Sequence, residues 1–178
     1  GFSWLRRTTN ENVDLNRNFR DFDADAPTNT RYDELAALLV PESWPPDAPT
    51  TAALDRFVEA HGDRALQQAV SGGQYAHPDG LFYGGAAPTW SHAKLRQVLR
   101  HHGTRCARLG WIDFHTGLGP NGHGERIFAC RDDKDAYARA KTWWGDVTSF
   151  YDGSSTSAVL TGLMWTAAYE ECPQAEYT

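Results

Sequence analysis

The feature that most constrains the fold is an apolar stretch that runs directly into a glycine-rich one. Residues 106–114 include Leu109, Trp111 and Ile112, and residues 116–122 are rich in glycine. This pattern predicts a strand that ends at a loop, with His115 at the junction. In open α/β sheets, ligands bind beyond the carboxyl ends of the strands. We therefore expect an α/β fold with a site at this edge.

Helical patterns lie on both sides of this strand. Helices are predicted over residues 32–39, 51–61, 64–70, 91–103, 133–144 and 161–171, and further strands over 126–130 and from Ala175 onward. The four prolines of residues 41–49 indicate a surface connection rather than a linker between domains. Together these elements predict a mixed central β-sheet flanked by helices.

The size and charge of the chain bound its function. A chain of 178 residues, 40% hydrophobic and 22% charged, is long enough for one domain with its own core, which we place over residues 1–178. The net charge of -6 argues against nucleic acid as a partner, because backbone phosphates require a basic surface. We expect a partner other than nucleic acid.

Neither a membrane nor a disulfide framework is expected. No apolar run approaches the roughly 20 residues that cross a bilayer. The three cysteines, Cys106, Cys130 and Cys172, form no Cys-x-x-Cys pair and are interpreted as buried thiols. A cytoplasmic location fits these features.

His115 and Asp113 are the first candidate for chemistry. Imidazole is a metal ligand and a proton carrier, and Asp113, two positions earlier on the same strand face, would orient the ring. The alternative is a loop-capping aspartate beside an ordinary polar histidine. His123 and Glu125 form a second polar pair, for which a loop role is the simpler interpretation.

The second candidate lies near the start of the chain. Arg17 offers a planar fork for a carboxylate, Asn16 offers an amide, and Arg6 and Arg7 are close enough in sequence to face the same pocket. The alternative is a solvated basic surface paired with nearby acids. Those acids are Asp14, Asp21 and Asp23.

A resemblance connects the two candidates. Residues 13–19, Val-Asp-Leu-Asn-Arg-Asn-Phe, resemble the Asp-x-Asn-Arg-Asn-Phe/Trp motif of the zinc carboxypeptidase superfamily. Residues 113–117 resemble the strand end that carries its third zinc ligand. Residues 73–85 and 117–125 are similar to motifs of a largely bacterial, carboxypeptidase-like branch related to the aspartoacylase and succinylglutamate desuccinylase group.

The resemblance implies roles for individual residues. In that superfamily a His-x-x-Glu pair and a later histidine hold zinc and leave one position open. By position, His115 matches the later histidine, and Asn16 and Arg17 match the residues that grip a substrate carboxylate. Arg7, or else Arg6, matches the arginine that polarises the scissile carbonyl.

The chain departs from the family pattern at both ends. None of its seven histidines is followed by glutamate three residues later. In the family, the His-x-x-Glu pair precedes the first motif, and the general-base glutamate lies on a strand near the end of the domain. We therefore expect these groups upstream of Gly1 and just past Thr178, and an inactive chain in their absence.

Two classes of function follow from the resemblance. The first is zinc-dependent hydrolysis of an amide bond by the intact parent protein, on a small peptide or acyl-amino acid with a carboxylate. A peptidase and a deacylase both fit Asn16 and Arg17. The second is a catalytically inactive module of the same fold that binds carboxylates or a partner.

Overall fold

A computed structural model describes residues 5–115, 120–157 and 160–177. The chain divides into two compact units. Unit 1 comprises Gly1–His92 with Leu160–Met164, and unit 2 comprises Ala93–Val159 with Trp165–Thr178. The single domain predicted over residues 1–178 stays a prediction, since compact units occur within one domain as well as in separate domains.

Unit 1 is helical in its first half. Its helices are α1 (Leu15–Asn18), α2 (Thr30–Leu39), α3 (Ala48–His61) and α4 (Asp63–Ser71). The three longer ones confirm the predicted helices, but each begins earlier than predicted. For α2 and α3 the reason is capping: Asn29 Oδ1 accepts the Tyr32 N–H at 3.1 Å, and Asp47 Oδ1 accepts the Thr50 N–H at 2.8 Å. Helix α4 has no side-chain cap at its start.

A loop over residues 72–87 packs against these helices and is held by buried amide side chains. Asn12 Nδ2 donates to the carbonyls of Pro78 and Gly80 at 2.9 and 2.8 Å. Asn18 Nδ2 donates to the carbonyls of Gly84 and Ala87 at 2.8 and 3.0 Å. Because amides satisfy carbonyls that no strand or helix pairs, this loop is ordered without regular structure.

Unit 2 contains the strands, and they form two small parallel sheets. Strand β1 (Arg108–Leu109) pairs with β4 (Glu176–Tyr177), and β2 (Ile127–Phe128) pairs with β3 (Thr148–Ser149). Helix α5 (Trp90–Val98), whose last residues enter this unit, continues into a π-helical turn, Leu99–Gly103. Helices with parallel strands confirm the α/β class, but the described strands form two separate pairs where a central sheet was expected.

The core of unit 2 forms where a helix covers a strand. Helix α6 (Lys134–Trp144) places the buried Ala136 and Ala140 against Phe128 of β2. Small side chains on this face allow close approach of the helix, and the ring of Phe128 fills the space between them. The final helix, α7 (Thr166–Glu171), is tied to α5 through Arg96, which pairs with Glu171 at 3.0 Å.

Two predicted elements are shorter than expected. Among the described residues, the strand predicted over residues 106–114 pairs at Arg108 and Leu109, with Glu176 and Tyr177 of β4. Phe114, beyond that ladder, is 91% exposed. In the described part of the chain, His115 lies beyond this ladder rather than directly at its end. The helix predicted from residue 161 begins at Thr166, because Gly162 has a φ of +71° that no helix accommodates.

Other predictions concern the surface and the thiols. Among the described residues, no helix is both long and apolar enough to cross a membrane. All three cysteines are free, but only Cys172 is buried, while Cys106 and Cys130 are half-buried. Residues 116–119 of the predicted glycine-rich loop lie outside the described residues.

Replacement of Gly73 by alanine tests how tightly the residue 72–87 loop packs on Arg17. Gly73 has a φ of +92°, and an added Cβ would lie 2.4 Å from Arg17 Cδ. Gly62 has a φ of +83° with no atom within 4 Å of an added Cβ, so it is a matched control. We expect Gly62→Ala to cost ~1–2 kcal/mol of unfolding free energy.

The same replacement at Gly73 should cost a further ~1–3 kcal/mol, because the Arg17 side chain is pinned and cannot move aside. Urea denaturation of both variants measures the difference. Equal losses of unfolding free energy in the two variants would show that the contact between the added Cβ and Arg17 does not destabilise the fold.

Candidate functional site

Asp14 is the buried acid to which the predicted site residues of unit 1 connect. Its side chain is 3% exposed. Oδ2 accepts from Arg7 Nε and Nη2 at 3.1 and 2.8 Å, and Oδ1 accepts the Asn16 N–H at 3.0 Å. This second contact caps α1 and fixes the backbone that carries Asn16 and Arg17.

Arg17 is buried, with 1% of its surface exposed. Its Nε donates to the carbonyl of Ser71 at 3.1 Å, and Nη2 donates to the same oxygen. Nη1 donates to the carbonyl of Asn16 at 2.7 Å. The guanidinium therefore joins α1 to the end of α4, and a solvated basic surface is the wrong description of this residue.

The electrostatics of Arg17 follow from this burial. Loss of solvation lowers the pKa of Arg17, the negative charge of Asp14 raises it, and the positive charge of Arg7 lowers it again. The ring of Phe82 lies near both cations, 5.4 Å from Arg17 Cζ and 5.8 Å from Arg7 Cζ. One buried carboxylate and one aromatic face thus hold two arginines together.

Asn16 is held in place by hydrogen bonds of its side chain as well as of its backbone. Its Oδ1 accepts the backbone N–H of Met164 at 3.0 Å. Arg7 differs from both neighbours, since its side chain is 46% exposed. The structure therefore brings Arg7, Asn16 and Arg17 together, with Arg7 as the arginine most open to solvent.

His115 lies in unit 2 beside its predicted partner. Its Nε2 is 2.8 Å from Asp113 Oδ2, and the two side chains are 48% and 35% exposed. The pairing matches the expectation that Asp113 orients the imidazole, although it forms beyond β1 rather than on a strand face. A carboxylate on one ring nitrogen is the usual support of a metal-binding histidine.

The described residues do not complete a metal site around His115. Among them, no three histidine, cysteine, aspartate or glutamate side chains are grouped so that they can hold a metal ion. A catalytic zinc takes three protein ligands. The Asp113–His115 pair thus fits one zinc ligand with its supporting carboxylate, and the other ligands are not supplied by the part of the chain that is described.

Glu125 is a structured residue that sequence reasoning treated as part of a loop. Its carboxylate accepts from Thr148 Oγ1 at 2.6 Å and from the hydroxyl and backbone N–H of Thr156. Partial burial acts to raise the pKa of Glu125, but hydrogen bonds from Thr148, Thr156 and Ser155 lower it overall. The hydroxyl-rich run of residues 154–157 was the available signal for this acceptor.

Comparisons with known proteins place the sequence in one group. A family described as "Protein of unknown function (DUF2817)" matches residues 1–178. No curated protein and no solved structure matches the chain. The family description assigns no chemistry, so the geometry is what distinguishes one function from another.

Arg17→Lys tests how much the buried guanidinium contributes to the free energy of unfolding. Lysine keeps the charge but cannot reach two carbonyls in the same plane, so one of them loses its donor. We expect a loss of ~1–3 kcal/mol in unfolding free energy. Arg56→Lys, at an exposed position of α3, is the matched control and should leave the urea midpoint unchanged. A midpoint shift shared by both variants would contradict the assignment.

Glu125→Gln tests the hydroxyl cluster through pH. The pKa of Glu125 is lowered in the folded chain, so its contribution to stability is present above the unfolded value of ~4.3 and is lost as the pH falls through the folded value. Thermal unfolding between pH 7 and pH 3 should therefore show a steeper loss for the unmodified protein than for the variant. Glu42→Gln, at an exposed position, should keep the original slope.

Proposed function

We propose that this chain, which belongs to the DUF2817 family, is part of a zinc-dependent hydrolase that cleaves an amide bond in a small peptide or acyl-amino acid. The family match is shown over the whole sequence; the chemistry is the proposal. Its support is the Asp113–His115 pair together with the arginines around Asp14. The resemblance to zinc carboxypeptidases at residues 13–19 and 113–117 supplies the reaction class.

The contact between Asp113 and His115 carries the proposal. Metal-binding histidines commonly give their second ring nitrogen to a carboxylate, which fixes the tautomer and the ring orientation. Asp113 Oδ2 lies 2.8 Å from Nε2 of His115, so this carboxylate orients the imidazole that would hold zinc. Zinc bound there supplies Lewis-acid polarisation of the amide carbonyl. The remaining ligands are assigned to residues outside the described part of the chain.

The role of the chain's own residues is to receive a carboxylate. Asn16 and Arg17 are assigned to grip the substrate carboxylate, and Arg7 is assigned to the carbonyl oxygen as it gains charge. Arg17 is 1% exposed, so a carboxylate reaches it only if a covering group moves. Arg7 is the more accessible cation, with Asp14 holding its guanidinium through Nε and Nη2.

A second function is favoured by a different observation. The described residues group no three metal ligands, and the donors of Arg17 are largely used by backbone carbonyls. A module that has lost metal chemistry and binds a partner is consistent with both facts, and in such a module carboxylate binding would be carried by the half-exposed Arg7. Peptidase and deacylase activities remain equally supported within the first function.

The three free thiols favour a reducing, cytoplasmic location for both the hydrolase and the binding module.

Metal analysis of the full-length encoded protein tests the zinc assignment. We expect about one zinc per chain, its loss in His115→Ala, and a zinc affinity roughly 10–100-fold weaker in Asp113→Asn. His61→Ala, an exposed histidine of α3, is the control and should retain zinc. Hydrolysis of N-acyl-amino acids and short peptides, followed by amine release, should disappear with the metal.

Two results would overturn the enzyme and favour the binding module. One is a full-length protein that retains no zinc and releases no amine from either substrate series. The other is zinc retention that His115→Ala leaves unchanged. Amine release from acyl-amino acids alone would identify a deacylase, and release from peptides alone would identify a peptidase.

A further inference from the structure

Unit 1 contains a cavity that none of the assigned site residues lines. It has a volume of about 150 Å³ and lies between the start of α2 and the residue 72–87 loop. Its walls include Pro27, Asn29, Gln74, Tyr75 and Ala76. Most of this surface is apolar, and the space is comparable to an extended aliphatic side chain. We call it the Asp33 cavity, after the acidic residue in its wall.

The amide groups in the wall are already used by the fold. Asn29 Nδ2 donates to the carbonyls of Ala69 and Gly73, and its Oδ1 caps α2. Gln74 Nε2 donates to the carbonyl of His77 at 2.7 Å, and its Oε1 accepts the backbone N–H of that residue. Because these amides are satisfied internally, they are poor anchors for a ligand.

Asp33 has a different status from these amides. Its side chain is 47% exposed, and Oδ1 lies 2.9 Å from His77 Nε2. Among the described residues that line the cavity, Asp33 is the one with a formal charge at neutral pH.

We propose that the Asp33 cavity binds an aliphatic chain that ends in an ammonium group. The apolar wall accepts the methylene groups, and the Asp33 carboxylate accepts a charge-assisted hydrogen bond from the ammonium. Charge complementarity excludes a carboxylate from the same position. Arg20, a cation outside the wall, lies over the ring of Tyr75 at 5.1 Å and donates to the carbonyls of Asp21 and Ala24.

Tyr75 connects this cavity to the proposed substrate grip. Its ring lines the cavity, and its hydroxyl donates to the backbone carbonyl of Arg17 at 2.7 Å. This contact puts the cavity wall next to the backbone of Arg17, and we assign to the proposed substrate an ammonium-bearing side chain, such as that of a diamino acid. This substrate assignment rests on the proposed function, whereas binding of the amine itself requires no zinc and no hydrolysis.

Isothermal titration of the full-length protein with n-pentylammonium, 1-pentanol and pentanoate, in the presence of a metal chelator, tests the cavity. The three probes share one chain length and differ in the terminal group. Pentylammonium should bind about tenfold more tightly than pentanol, because an ion pair at a half-exposed carboxylate is only partly screened. Pentanoate should bind more weakly than both.

Variants locate the binding and separate charge from shape. Asp33→Asn should weaken pentylammonium about tenfold and leave pentanol unchanged, while Asp55→Asn, on the exposed face of α3, should change neither. Ala76→Phe should abolish binding of both by filling the cavity. Circular dichroism establishes that each variant is folded.

Three outcomes would overturn the proposal: pentanol binding as tightly as pentylammonium, pentanoate binding more tightly than either, or Asp33→Asn leaving pentylammonium binding unchanged. Because the titration is made without metal, a failure of the hydrolase proposal leaves its result intact. Conversely, an active zinc enzyme without amine binding would reject the cavity assignment alone.

Discussion

The burial of the Arg17 guanidinium is the constraint on which unit 1 depends. A buried cation is tolerated only when its donors are satisfied and its charge is balanced, and here carbonyls of Ser71 and Asn16 satisfy the donors while Asp14 supplies the charge. The same aspartate caps α1 and holds Arg7. The position of the α4 end and the conformation of Gly73 both follow from where this side chain lies.

This arrangement gives Asn16 and Arg17 a structural role in addition to the carboxylate-binding role assigned to them. The residues that a carboxylate-binding role requires are the same residues that hold the fold together, so a loss of binding and a loss of stability are linked at Arg17. Arg7 and His115 are different, since both are substantially exposed and each is positioned by one carboxylate, Asp14 or Asp113. Functional substitutions are therefore interpretable at these two positions more readily than at Arg17.

The helices were predictable because their signals are local. Asn29 and Asp47 cap helices in the way that their short polar side chains favour, and the buried Tyr32 and Leu35 lie on one face of α2. The strands were less predictable, because a strand is defined by its partner. Among the described residues, the apolar stretch before His115 pairs at Arg108 and Leu109, and nothing in its own composition specified that Glu176 and Tyr177 would be the partners. Glu125 was named as a polar candidate, but its hydroxyl partners were not predictable for the same reason, since they lie more than 20 residues away.

The sequence by itself determined the α/β class, the approximate positions of the longer helices and the identity of the arginine, asparagine and histidine residues that are candidates for function. It also indicated that Asp113 would orient His115, because the two lie close along the chain. Only the tertiary structure decided that Arg17 is buried while Arg7 is exposed, and that Asp33 lines a cavity. Burial and charge balance depend on contacts between residues distant in sequence, which local patterns do not encode.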